Sequence, residues 1–303
     1  MTPLTDVDGE ALRELWNGSS PHDTLTARLF DEKVWRDQRP GVRLAEFVDG
    51  RPVGFVTSVY EESTDPPRGY VKLLAVAPEH RGGGIGCRLL EAAERAAWAA
   101  GAGEVRLCES APNYLTPGVD ARGAEAIAFF ERRGYRRLGE AVNQSAPLSY
   151  LPDADPSDGF VIRRATPLDT DAERKLLDAN WPSWNAEVAI ALAADPPTLF
   201  IATGLNGESG RVIGFAVYES NNLGTGWFGP MGADPAARGR GVGRLLLLHT
   251  LAAMRDDGFP RAIIPWVGPV EFYERTIGAK IDRRFVRLAK TRPSDTRPSD
   301  RNQ

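Results

Sequence analysis

Arg81-Gly82-Gly83-Gly84-Ile85-Gly86 is the stretch on which the fold turns. It follows Val71 to Val76, an apolar run fit for a central strand. It precedes Cys87 to Ala100, where Leu89, Leu90, Ala93, Ala96 and Ala97 keep the i, i+3, i+4 spacing of a helix with one buried face. Gly101 ends that helix. The arrangement returns 157 residues later as Arg238-Gly239-Arg240-Gly241-Val242-Gly243, before a second helical pattern over 244–255.

Three flanking features return in the same order. Val53-Gly54-Phe55-Val56 is echoed by Ile213-Gly214-Phe215-Ala216, and Val76-Ala77-Pro78 by Ala233-Asp234-Pro235. Phe129-Phe130-Glu131-Arg132 is echoed by Phe272-Tyr273-Glu274-Arg275. Matches in one order argue for a duplicated architecture, and 303 residues suit two domains better than one. Between the copies, residues 150–159 are rich in turn formers and read as a linker. The expected division is 1–149, linker 150–159, 160–290, and a disordered tail 291–303 in which Thr-Arg-Pro-Ser-Asp occurs twice. Within each copy the order is helix, hairpin, strand, loop, helix, strand, helix, strand. Asp49-Gly50 marks the first hairpin.

Composition narrows the partners. Hydrophobic residues make up 42% and charged residues 26%, with a net charge of −4, so the broad basic footprint of a nucleic-acid binder is missing. No apolar stretch approaches the roughly 20 residues of a membrane span, and the N-terminus lacks a signal-peptide pattern. Two cysteines, Cys87 and Cys108, and three scattered histidines suggest neither a metal site nor a disulfide framework; a reducing cytoplasm is expected.

A strand that turns through glycines into a helix presents free backbone N–H groups at the positive end of the helix dipole, an arrangement suited to phosphate or pyrophosphate. A Walker loop would close with Gly-Lys-Ser/Thr, but Gly86-Cys87-Arg88 and Gly243-Arg244-Leu245 stand here. A dinucleotide fingerprint would need a third glycine at Cys87, Leu89 or Arg244.

R-x-x-G-x-G after an apolar strand and before a helix resembles the GCN5-related N-acetyltransferase (GNAT) superfamily, over roughly residues 5–148 and 160–290. The resemblance implies an α/β (α+β) chain of two such domains, each a mixed, mostly antiparallel central sheet flanked by helices. It implies acetyl-CoA as acyl donor, its pyrophosphate held by Arg81, Gly82, Gly83, Gly84, Ile85 and Gly86 and by Arg238, Gly239, Arg240, Gly241, Val242 and Gly243. Its pantetheine arm would pair with the preceding strands at Leu74 and Val76, and at Met231 and Ala233. The acceptor would be an amine, on a small molecule in the leading reading, attacking the thioester directly. A non-catalytic acyl-CoA-binding protein and a protein N-acetyltransferase are the alternatives.

Acetyl transfer needs a neutral amine, a donor for the developing oxyanion, and a proton for the leaving thiolate. The resembled family often supplies that proton from a tyrosine in the helix after the second motif strand. Tyr273 occupies that place in the second copy and Phe130 in the first, so the second copy is expected to be the catalytic one. The general base stays open among Glu109, Glu219 and an ordered water. The first copy also carries 14 extra residues, near 109–122, expected to shape an acceptor pocket in that copy. Trp181, Trp184, Trp227 and Trp266 are either core or the walls of an acceptor cleft.

Overall fold

In the computed structural model, residues 1–5, 8–155, 159–205 and 210–293 are described. The elements are β1 (Thr2–Pro3), α1 (Gly9–Ser19), α2 (Ala27–Val34), β2 (Arg43–Val48), β3 (Arg51–Glu61), β4 (Arg68–Val76), α3 (Ile85–Ala99), β5 (Glu104–Leu107), β6 (Val119–Asp120), α4 (Ala124–Glu131) and β7 (Arg136–Pro147). They continue as β8 (Phe160–Arg164), α5 (Thr170–Asn180), α6 (Asn185–Leu192), β9 (Leu199–Gly204), β10 (Val212–Tyr218), β11 (Phe228–Ala233), α7 (Val242–Asp256), β12 (Arg261–Ile264), α8 (Val270–Ile277) and β13 (Lys280–Thr291).

Two compact units result, but they do not cut the chain at the linker. The first comprises residues 1–110, 118–140 and 286–303; the second comprises 111–117 and 141–285. The reason is an exchange of last strands. In the first unit β5 pairs antiparallel with the end of β13, Arg106 opposite Ala289. In the second, β12 pairs antiparallel with the end of β7, Ala262 opposite Ala146. The apolar side chains follow the pairing. Val286 and Leu288 are buried with Leu89, Val105 and Leu107, while Ala146 and Leu148 are buried with Leu246 and Ile264. Strand β13 runs through Thr291, so the tail begins later than expected. The remainder of that expectation, 294–303, lies outside the described residues, as do 156–158 of the linker.

In the first unit β1 to β4 are antiparallel neighbours and β5 lies parallel to β4. Asp49 and Gly50, with φ of 47° and 75°, form the two-residue hairpin turn between β2 and β3. In the second unit β8 to β11 form an antiparallel sheet, and β12 touches the foot of β11 through a parallel bridge from Trp227 to Ile263.

The duplication extends to register. Gly54 faces Val76, Phe55 faces Ala75 and Val56 faces Leu74; Gly214 faces Ala233, Phe215 faces Gly232 and Ala216 faces Met231. The echoed glycines have a packing cause. A methyl group on Gly54 would stand 2.8 Å from Ile85, and one on Gly214 would stand 2.9 Å from Val242. Helices α3 and α7 thus approach their sheets through a missing side chain.

Candidate functional site

Each motif strand carries one extra residue. Thr57 faces Leu73 and Ser58 faces Val71, so Lys72 is a bulge; Ala216 faces Met231 and Tyr218 faces Phe228, so an extra residue falls in Gly229-Pro230. At that bulge the first sheet opens. The pairing of β4 with β5 runs from Arg68 opposite Glu104 only as far as Val71 opposite Leu107. Beyond it, the Ala77 N–H donates to Val53 O on β3. Because strand amides alternate in direction, the Leu74 and Val76 amides face away from β3, toward the opening. The second unit repeats this: Asp234 N–H donates to Ile213 O, which turns the Met231 and Ala233 amides away from β10.

The opening of the first unit is a cleft of about 880 Å³. Leu74, Val76, Arg81, Gly82, Gly84, Ile85 and Gly86 all line it. Gly83 belongs to the same turn, its carbonyl accepting from Arg88 Nη1 at 3.3 Å. Gly84 caps α3 in the left-handed region at φ 80°, and Gly241 caps α7 at 82°. Gly82 and Gly239 repeat the match at 81° and 78°. The two loops therefore share one backbone path, which L side chains at those positions would strain. It points the unpaired first N–H groups of each helix outward.

The arginines are less alike. Arg81 Nε donates to Val76 O at 3.2 Å, bracing the end of β4, where Ser19 also donates. Arg238 is exposed. Arg240 donates to Gly159 O at 3.3 Å and so holds the incoming chain.

Sequence reasoning missed a cation in the cleft. Arg133 lies 3.7 Å over the ring of Phe129, donates to Phe129 O at 2.8 Å, and reaches Cys87 Sγ. Its i+4 spacing from Phe129 on the repeated helix was the available signal.

Tyr273 and Phe130 are structural counterparts. Each follows a phenylalanine that packs toward the last glycine of its loop, Gly86 or Gly243, and each makes an edge contact with that phenylalanine, at 5.0 Å for Phe272–Tyr273 and 5.1 Å for Phe129–Phe130. Tyr273 also packs on Phe228 at 6.3 Å. Burial pushes its phenol up to about 12, so it keeps its proton through neutral pH.

The two carboxylates considered as bases are both engaged. Glu109 is buried rather than solvated, and accepts from Arg106 at 2.7 Å and from Arg287 at 2.6 Å. Glu219 accepts the Gly226 N–H at 2.9 Å and the N–H groups of Gly224 and Trp227, closing a turn. Trp181 and Trp184 stack at 5.5 Å and pack edge-on to Phe215, as core.

The extra stretch 109–122 divides, with 109–110 and 118–122 staying in the first unit. Residues 111–117 belong to the second unit, not the first. There the Tyr114 ring packs at 5.8 Å on Trp227 and 5.7 Å on Trp266, and Asn222 Nδ2 donates to Leu115 O at 3.0 Å. Aromatic burial and paired backbone carbonyls carry the loop there.

A bulged strand opening beside a glycine turn and a helix N-terminus, built twice, defines a tandem acyl-transfer fold. The model of the acetyltransferase (GNAT) family matches residues 9–135 and 166–279, and the chain belongs to that family. It is 33% identical over 275 residues to a mycothiol acetyltransferase of Nocardia farcinica, covering 83% of this chain and 84% of the relative. A GCN5-related N-acetyltransferase from Sphaerobacter thermophilus matches with a TM-score of 0.75 at 19% identity, over 96% of this chain and 95% of that one. A tandem GNAT protein from the clavulanic acid biosynthesis pathway matches at 0.72 and 17%, over 97% and 98%. The chain is an N-acetyltransferase with acetyl-CoA as its acyl donor.

Proposed function

We propose that the second unit catalyses acetyl transfer to an amine of a mycothiol-related small molecule, while the first unit holds acetyl-CoA without turning it over. The contrast at two equivalent positions carries this reading. A phenol stands at Tyr273 where the first unit has the phenyl ring of Phe130, and only the phenol has a proton to give. Counting back from the equivalent Leu74 and Met231, Gly229 holds the place in the second unit that Lys72 holds in the first. Lys72 is buried and paired with Asp37 at 2.5 Å; Asp37 also accepts from Arg39 at 2.8 Å, and Arg39 donates to Ser110 O at 2.9 Å. Ser110 follows Glu109, which is buried between its own two arginines, Arg106 and Arg287.

In the second unit the Met231 or Ala233 N–H supports the developing oxyanion. The amine forms the new C–N bond as the C–S bond breaks, and Tyr273 protonates the departing thiolate. The proton lost by the amine leaves through ordered water, since Glu109 and Glu219 are committed elsewhere. The acceptor class follows the name of the Nocardia relative. Both cysteines are free, which suits a reducing cytoplasm.

Tyr273→Phe tests the reading with a mycothiol-related amine. It should lower kcat roughly 100-fold with little change in the KM for acetyl-CoA. An undiminished kcat would remove the second unit from the chemistry.

A further inference from the structure

The far wall of the second unit's opening is the chain from Ile264 to Val267. It is pinned to β7: Val267 N–H donates to Val142 O at 2.9 Å, and Trp266 N–H to Asn143 Oδ1 at 3.0 Å. Trp266 is held there at φ 44°, a left-handed conformation that a bulky residue rarely adopts. Backbone of this kind persists where its surroundings over-determine it, and it concentrates at functional sites. Trp266 as a residue is half-buried rather than sealed in the core.

Tyr114 bridges the two strands of the second unit where they part. Its ring meets Trp227, at the foot of β11, and Trp266, on the opposite wall, at interplanar angles of 65° and 80°. Trp227 and Phe228 are consecutive, so their side chains leave opposite faces of the sheet. Phe228 packs with Tyr273. The Tyr114 cluster therefore lies on the other face. An acceptor reaching a thioester bound along β11 from the face opposite Tyr273 would meet this cluster.

We infer that Trp266 is the wall against which the second unit reads its acceptor, and that Tyr114 is the positioning residue that holds it. A flat apolar ring favours an acceptor that presents a ring near its amine over a short open chain. Acceptor choice in the second unit then depends on a segment encoded in the first half of the chain. The inference rests on the second unit being the catalytic one.

The test uses the full chain with D-glucosamine, whose amine sits on a ring, and ethanolamine, which has the same amino-alcohol unit without one. Wild type should prefer D-glucosamine. Trp266→Ala and Tyr114→Ala should each raise its KM at least 10-fold and erase the preference, with the KM for acetyl-CoA held. Tyr114→Phe, which keeps the ring contacts, should retain the preference. An unchanged preference in Trp266→Ala, or none in wild type, overturns the inference, and Trp266→Ala decides alone if Tyr114→Ala does not fold. Tyr273→Phe, assayed alongside, separates the two ideas: full turnover there defeats the assignment of catalysis, whereas a normal D-glucosamine KM in Trp266→Ala defeats only the acceptor wall.

Discussion

The ring of Phe129 lies directly over Gly86, so that a methyl group there would stand 3.3 Å from it. The last glycine of the first loop is thus a packing requirement as well as an open path to a phosphate. Gly86→Val should overpack this contact and cost about 1–3 kcal/mol. Thermal unfolding of the variant checks it. Gly243→Val should cost less, because the nearest atom of Phe272 would be 3.9 Å away.

Gly84→Glu and Gly241→Glu place a charged L side chain at left-handed helix caps, at φ 80° and 82°. Each should abolish acetyl-CoA binding in its own unit, since strain and an anion both oppose a pyrophosphate there. Calorimetric titration should show the stoichiometry falling from two to one in either variant. An unchanged stoichiometry in both would remove the loops from acetyl-CoA binding.

Glu173 faces the core from α5 at the position that buried Leu12 holds in α1. Its Oε1 has no hydrogen-bond partner among the described residues, and burial pushes the carboxyl up to about 7. The folded state then binds the proton more tightly than the unfolded one, so stability falls as pH rises from about 4.5 through 7. Glu173→Gln should stabilise the protein at pH 8 by on the order of 2 kcal/mol, with the two curves converging near pH 5. Melting temperatures across that range test the sign.

The exchanged strands make each unit depend on both halves of the chain. A fragment ending at residue 155 lacks Val286 and Leu288, which are buried in the first unit's core. Expressed alone, it should lose cooperative unfolding, and addition of the 159–303 fragment should restore it. A fragment that melts cooperatively by itself would show the exchange to be dispensable.

The amino-acid order by itself determined the duplication, the glycine turns, the Asp49-Gly50 hairpin and the family, because these depend on local signals. Positive φ, helix periodicity and a short loop need only their neighbours. The match between Phe130 and Tyr273 was legible for the same reason. Only the tertiary structure decided where the strand ends went, that Glu109 is buried between two arginines, and that Tyr114 serves the second unit. Those outcomes are set by which long-range partner buries an apolar face or pairs a buried charge, and no local spacing encodes that choice. Arg106 and Arg287 lie on opposite sides of Glu109 in the sequence, yet both reach it.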